Sequence, residues 1–243
     1  MARMYKSERT YQKREEAKVR KQIQKLGLLL TFISGIFCAF SYQVIQRIFS
    51  GQFEFKEWGL FFLIYISVII LGYLIGKSLW IRVKQWKKGR AGEEKVEEVL
   101  ADLADKYLVF SGLTLPNGRG DIDFIVVGDS GVWLLEVKSH RGIFSVRDGK
   151  LTSNRFLKKD FIKQIESQVR ALRSFLERKN LNVKITGVLV LSDERAQLVG
   201  GLGVVGGTFV VPLAAVPDLI NHKSSVEFNG VEKVGAILKG LVS

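Results

Sequence analysis

The sequence predicts an α/β domain, with a central sheet covered by helices, joined to a pair of transmembrane helices. Three observations predict it. Two long uncharged apolar runs lie in the first third of the chain, and strongly basic segments flank them on their outer sides. Beyond residue 82, apolar runs of β-type and of helical spacing follow one another.

The basic end comes first. Residues 1–25 hold nine Lys or Arg against three Asp or Glu, a net +6, whereas the 162 residues from Arg82 onward hold 25 against 19, also +6. Positive charge is therefore densest in the first 25 residues, which read as a basic cytoplasmic tail. Such a balance suits nucleic acid or the anionic surface of a lipid bilayer as a partner, and it says nothing about fold. The chain has one cysteine, Cys38, inside an apolar run. It allows no intramolecular disulfide, which excludes a disulfide-stapled secreted scaffold.

Residues 26–81 read as the two membrane helices, at about 26–46 and 58–80. The first includes LGLLLTFISGIFCAF and the second WGLFFLIYISVIILGYLIG. At about 1.5 Å per residue each is long enough for a hydrocarbon core of roughly 30 Å. Trp58, Tyr73 and Trp80 fall near the ends, where interfacial aromatics are expected. The first run is too long for a signal peptide, and a second run follows it. The loop from Arg47 to Glu57 is short and balanced, while KREEAKVRKQIQK and IRVKQWKKGR outside the runs are basic. The positive-inside rule then expects both termini and the domain in the cytoplasm. Gly72 and Gly76 form a small-xxx-small pair suited to close helix packing, as Gly27, Ser34 and Gly35 are on the first helix.

The remaining segment, 82–243, is long enough for one globular domain with its own core. Val96, Val99, Leu100 and Leu103 recur at helical spacing after KKGR, with Glu93 and Glu94 expected in that helix's first turn, where its dipole favours carboxylates. YLVFSGL is a strand, LPNGRG a turn, DIDFIVV and VWLLEVKS two strands separated by GDSG, and GIFSVRDGKLTS a hairpin turning at Asp148-Gly149. Residues 158–179 form an amphipathic helix. VKITGVLVLS and GGTFVVP are strands, and PLAAVPDLINHK and VEKVGAILKGL are helices.

If Gly128 to Gly131 close the first hairpin, Val127 faces Val132, Asp123 faces Glu136 and Asp121 faces Lys138. Period-2 alternation puts those four polar side chains on one side of the sheet. Three carboxylates at close quarters repel unless a cation or proton intervenes, and oxygen ligands of this kind suit Mg2+ or Mn2+. A solvated polar face with an Asp121–Lys138 ion pair satisfies the same spacing. The seven cations of the long helix (Lys158, Lys159, Lys163, Arg170, Arg173, Arg178, Lys179) could follow a phosphate backbone or simply face water. His140 reads as a surface histidine close to the strand end. His222 has no neighbours that suggest a site. VGGLGVVGG lacks the Lys-Ser/Thr of a phosphate loop and reads as turns.

The ordered set GRAGEEKV, GDIDFIVV, WLLEVKS and a helix carrying Gln164 resembles the nuclease-related domain, NERD, of the PD-(D/E)xK nuclease superfamily, over roughly residues 88–200. The resemblance implies a restriction-endonuclease-like mixed sheet flanked by helices. It also implies metal-dependent hydrolysis of nucleic-acid phosphodiesters, DNA or RNA. Asp123, Glu136 and Glu93 would hold Mg2+ or Mn2+, Lys138 would be the catalytic lysine and Gln164 the helix glutamine of the catalytic set. Asp121 stands where an acidic residue is usual. The family commonly has proline three residues before the glutamine, where this chain has Phe161. The competing expectation is a nuclease fold that no longer cuts and acts as a membrane-tethered scaffold for nucleic acid or protein.

Overall fold

The computed structural model describes residues 1–7, 10–51, 55–116, 120–157, 159–222, 228 and 230–242; the side chains of 10–16, 55–58, 60 and 61 are outside the description. The turn at 117–119 and Lys158, both named above, therefore lie outside the described residues. The chain divides into two compact units: residues 12–86, and residues 1–11 together with 87–243.

The 12–86 unit is a helical hairpin. Helix α1 spans Thr10–Phe49, and α2 begins at Phe55. Both are long and apolar enough to cross a membrane. Their large apolar side chains point outward, among them Leu28, Phe32, Ile36, Leu63, Ile64 and Leu71, as expected of a lipid-facing surface. The helices meet through Phe37, whose ring stacks on Tyr65 at 3.7 Å. At Gly72 a Cβ would lie 2.8 Å from Leu30 Cδ2, so this glycine sits at a close approach. Gly27, Gly35 and Gly76 have nothing within 4 Å of that position, so of these four glycines Gly72 is the one at a close approach.

Two boundaries differ from the sequence reading. Helix α2 runs unbroken from Phe55 to Ala101, so Arg82 starts no new element, and Glu93 and Glu94 lie deep in this helix instead of in a first turn. No proline interrupts the stretch, and Gly89 and Gly92 each cost a helix only about 1 kcal/mol. Residues 1–25 are not all tail. Strand β1 (Arg3–Lys6) pairs in parallel with β2 (Leu108–Thr114), from Arg3↔Leu108 to Lys6↔Ser111. Tyr5 stacks on Phe110 at 5.0 Å, and Lys239 Nζ sits 4.7 Å from the Tyr5 ring. Lys6 bonds Glu97 at 3.0 Å.

The sheet domain is built around β2, β3 (Asp121–Gly128), β4 (Gly131–Lys138), β5 (Gly142–Arg147), β6 (Lys150–Ser153), α3 (Phe161–Glu177), β7 (Ile185–Leu191), β8 (Ala196–Val199), β9 (Gly203–Val205), β10 (Thr208–Pro212), α4 (Val216–Asn221) and α5 (Val231–Lys239). Seven strands form a mixed sheet in the order β1-β2-β3-β4-β7-β10-β9, and β6-β5-β8 form a second, smaller sheet. Val127 pairs with Val132 as the hairpin arithmetic requires. Asp148 and Gly149 have φ of 51° and 69°, the left-handed pair that a two-residue hairpin turn demands.

Alternation along the strands feeds two cores. One holds Phe110, Ile125, Val127 and Leu134 with Ile165 and Leu172 of α3 and Val234 and Leu238 of α5. The other holds Val109, Phe124, Val126 and Leu135 with Val96 and Leu100 of α2 and Val216 and Ile220 of α4. The sheet thus lies between two helical layers, a mixed α/β fold as expected. Alternation slips in one place. Phe110 and Leu113, three residues apart, share a core, and so do Ile122 and Ile125. Between them Gly112 has φ 67°, and it stands where the β2–β3 ladder passes over Asp123.

Candidate functional site

The site forms where two strands part. The β3–β4 ladder runs from Gly128↔Gly131 to Phe124↔Leu135 and ends there. Each strand continues to pair on its outer side, β3 with β2 as far as Asp121↔Thr114 and β4 with β7 as far as Lys138↔Leu191. The hairpin is therefore closed at its turn and open at its far end, and Asp121, Asp123, Glu136 and Lys138 occupy the open end. The expected facing pairs Asp123–Glu136 and Asp121–Lys138 lie beyond the last rung. A backbone N–H at such an opening needs another partner. Asp123 supplies it: Oδ2 accepts from Val137 N at 2.8 Å.

Glu136 is the most enclosed acid of the set, 3% exposed. A carboxylate so buried must be hydrogen-bonded. Its Oε1 accepts from Lys138 Nζ and, at 2.5 Å, from Gln164 Nε2. Its Oε2 accepts from Gln168 Nε2 at 3.1 Å. Gln164 and Gln168 lie one turn apart on α3, so both amides reach the same carboxylate. Gln168 escaped the sequence reading; its four-residue spacing from Gln164 is the signal that marks it. Its Nε2 also approaches the Asp121 carbonyl at 3.5 Å. Both of those partners are acceptors, which fixes the amide's orientation and leaves Gln168 Oε1 buried without a donor.

Lys138 pairs with Glu136, not with Asp121, which corrects the expected Asp121–Lys138 ion pair. Asp121 Oδ1 instead accepts from Thr114 Oγ1, across the last rung of β2–β3, and its Oδ2 is buried without a donor. The Lys138 ammonium also lies 5.3 Å from the centre of the Phe161 ring, a cation–π contact. Phe161 is the first residue of α3, behind the N-cap Asp160, whose side chain accepts from Lys163 N at 3.1 Å. Proline fits that first helical position equally well, so this departure leaves the helix boundary unchanged. The Phe161 ring also meets His140 edge-on, ring centres 5.1 Å apart. Burial, then the charges of Lys138 and Lys88, lowers the His140 pKa below its ordinary value.

Glu93 is buried in α2. Its neighbour Gly92 presses onto the ends of β4 and β7, where a Cβ would lie 1.8 Å from Ser139 Oγ and 2.4 Å from Ser192 Oγ. Those two hydroxyls bond each other at 2.9 Å. Glu93 thus stands at the sheet end that carries Glu136 and Lys138. Among the described residues no three His, Cys, Asp or Glu side chains come together as a ready metal-binding group, so Glu93, Asp123 and Glu136 do not form one. Mg2+ needs no such cage: one or two carboxylates, with water and substrate phosphate, complete its shell. Asp123 and Glu136, with the unfilled Asp121 Oδ2 nearby in β3, are hard oxygen donors that fit it. A cleft of about 550 Å³ opens beside the site, lined among others by Asp121, Gln164 and Gln168 and by Lys159 and Lys163.

The chain is similar to known proteins over part of its length. No solved structure matches it. An uncharacterized protein of Bacillus anthracis is 38% identical over 88 residues, which make up 34% of this chain and 39% of the relative. The chain thus spans about two-fifths of that relative's length. The family model of NERD, the nuclease-related domain, matches residues 88–192, a range that starts inside α2, contains Glu93, Asp123, Glu136, Lys138 and Gln164, and ends just past β7. Over residues 88–192 this chain is similar to nuclease-related domains.

Proposed function

We propose that the protein is a membrane-anchored, metal-dependent nuclease that hydrolyses nucleic-acid phosphodiesters at the open end of the β3–β4 hairpin. The observation that carries this reading is the gathering of Asp123, Glu136, Lys138 and Gln164 where the ladder stops. Folding gives no reason to enclose an acid as deeply as Glu136 and surround it with a lysine and two glutamines. Mg2+ or Mn2+ held by Asp123 and Glu136 would supply Lewis-acid activation of water and neutralise charge on the phosphate. The protein's own groups do the rest. Gln164 and Gln168 hold the Glu136 carboxylate in one rotamer. Lys138, resting on Glu136 in this structure, is placed to orient water or to stabilise charge developing on the phosphoryl oxygens. Lys159 and Lys163 face the cleft through which a strand would enter.

The topology supports two crossings by the helical pair. Strand β1 belongs to the same sheet as the nuclease-related domain, so the chain's start and that domain lie on one side of any membrane. A helical pair inserted between them must then cross an even number of times. The basic flanks favour the cytoplasm for that side.

Incubating the full chain in detergent with single- and double-stranded DNA and RNA tests the reading. Cleavage is expected with Mg2+ or Mn2+ and not with chelator. Lys138→Ala should lose on the order of 100-fold or more in rate while metal binding persists. Asp123→Ala should lose both. If Asp123→Ala cut as well as the parent, the mechanism would be wrong, and if the parent cut nothing, a non-catalytic binding scaffold would replace it.

A further inference from the structure

A second cationic cluster lies past the ends of β4 and β7, on residues outside α3. Charge pairing separates the two. On α3, Lys163 faces Asp160 at 3.7 Å and Arg170 faces Glu166 at 3.9 Å, so each of these cations has an acid of its own. Past the strand ends, three cations share one acid. Lys88 Nζ reaches Asp193 Oδ2 at 2.9 Å, Arg141 Nε reaches the same oxygen at 3.6 Å, and Arg195 Nε reaches Oδ1 at 3.1 Å. The next acid along the chain, Glu194, is engaged by Lys95. One carboxylate offsets one cation, so the cluster keeps a surplus of two positive charges.

The cluster is built, and it adjoins the site. The Asp193 side chain is 6% exposed, whereas Arg141 and Arg195 are 45% and 61% exposed. The anchor is thus inside and the cations face out. Burial opposes the Asp193 charge, but the hydrogen bonds from Lys88 and Arg195 outweigh it and hold the carboxyl far below the usual range. Backbone bonds tie the two loops together: Ser192 N donates to Lys138 O at 3.2 Å and Gly142 N to Arg195 O at 3.3 Å. Arg141 follows Lys138 by three residues, and the His140 imidazole between them feels both Lys138 and Lys88. Cations already oriented on a shared anchor lose less freedom on taking a ligand. Arginines that use only an edge of the guanidinium on Asp193 keep donors for a phosphate.

We propose that Lys88, Arg141 and Arg195, held on Asp193, bind the backbone phosphates of a nucleic-acid strand next to the one that sits at Glu136 and Lys138. This rests on the nuclease reading for its choice of ligand, and it is a site distinct from Lys159 and Lys163 at the cleft. A lipid phosphate has the same charge, but the continuity with Lys138 through the 138–142 loop favours the strand.

The test is binding, kept apart from cleavage by working in chelator. A fluorescent single-stranded oligonucleotide is titrated against the full chain in neutral nanodiscs at several salt concentrations. Arg141→Gln with Arg195→Gln should weaken binding about 10-fold or more near 0.1 M salt and lower the log-log salt slope by roughly 1.4, at about 0.7 per lost contact. The Arg→Lys pair should restore the slope, which a purely structural role for the guanidinium fork would not allow. Arg170→Gln with Arg173→Gln should change it less. An unchanged slope in the Arg141/Arg195 variant, at an unchanged unfolding midpoint, overturns the proposal. So does a larger loss in the α3 variant. In phosphatidylserine nanodiscs, oligonucleotide binding that weakens for the parent but not for the variant would assign the cluster to lipid instead. Failure of the parent to cut with Mg2+ would sink the nuclease reading and leave this binding result standing.

Discussion

The two ends of the β3–β4 hairpin have the same strands and opposite chemistry. At the closed end, Val127↔Val132, Val126↔Trp133 and Ile125↔Leu134 pair in register, and all six side chains are buried. At the open end the rungs stop, and Asp123, Glu136 and Lys138 replace them with side-chain hydrogen bonds. The closed end derives stability from apolar area and backbone pairing. The open end gives up rungs and places charge between two central strands, which burial normally penalises. Stability and function are thus divided between the two ends of one 18-residue hairpin (121–138).

This contrast can be broken at either end. The largest effect is expected at the closed end. Val127→Asp puts an unpaired carboxylate among fully buried apolar neighbours and should cost several kcal/mol, on the order of 4 or more. The sheet domain should lose its cooperative thermal transition. Asp123→Ala, four residues away, should leave that transition within about 1–2 kcal/mol of the parent, since one hydrogen bond to Val137 is lost. Equal destabilisation by the two variants would erase the distinction.

A smaller effect sharpens it. Gln168 keeps a buried Oε1 without a donor, which costs about 1–3 kcal/mol. Gln168→Met removes that orphan acceptor and keeps the volume. If Gln168 serves only the fold, the unfolding midpoint should stay or rise and metal-dependent cleavage should be unaffected. As a positioning residue it predicts a stable variant whose kcat falls about 10-fold with KM little changed, because Glu136 loses one of the two amides that fix it. A variant that is both less stable and fully active would remove Gln168 from the site.

What the sequence made legible was local. The hairpin register follows from the GDSG turn, and the α3 amphipathicity from spacing within one element. Residues in contact across long distances in sequence were not legible. Strand β1 is four residues inside a basic stretch, and its partner Leu108 lies about a hundred residues on, so no local pattern marks RMYK as a strand. The continuity of α2 was hidden by the change from an apolar run to a charged one near Arg82, which divided one helix into a membrane span and a separate domain helix. Gly92 is small so that α2 can press on Ser139 and Ser192. The slip at Gly112 defeated strict alternation near Asp123, because period-2 arithmetic assumes a regular pleat. The Asp193 cluster joins three segments that no spacing rule links. The acids themselves were visible because charges within apolar strands are uncommon, whichever way the strand bends.

Calorimetric titration of the full chain with Mn2+ tests the central claim most directly, because it asks whether the open end of the hairpin takes a metal at all. The parent should bind in a saturable isotherm. Asp123→Asn and Glu136→Gln, which keep shape and remove one ligand charge each, should weaken binding about 10-fold or more, with unfolding midpoints near the parent's. If both variants bound Mn2+ as the parent does, the metal would sit elsewhere, and the acids of the open end would have no catalytic claim.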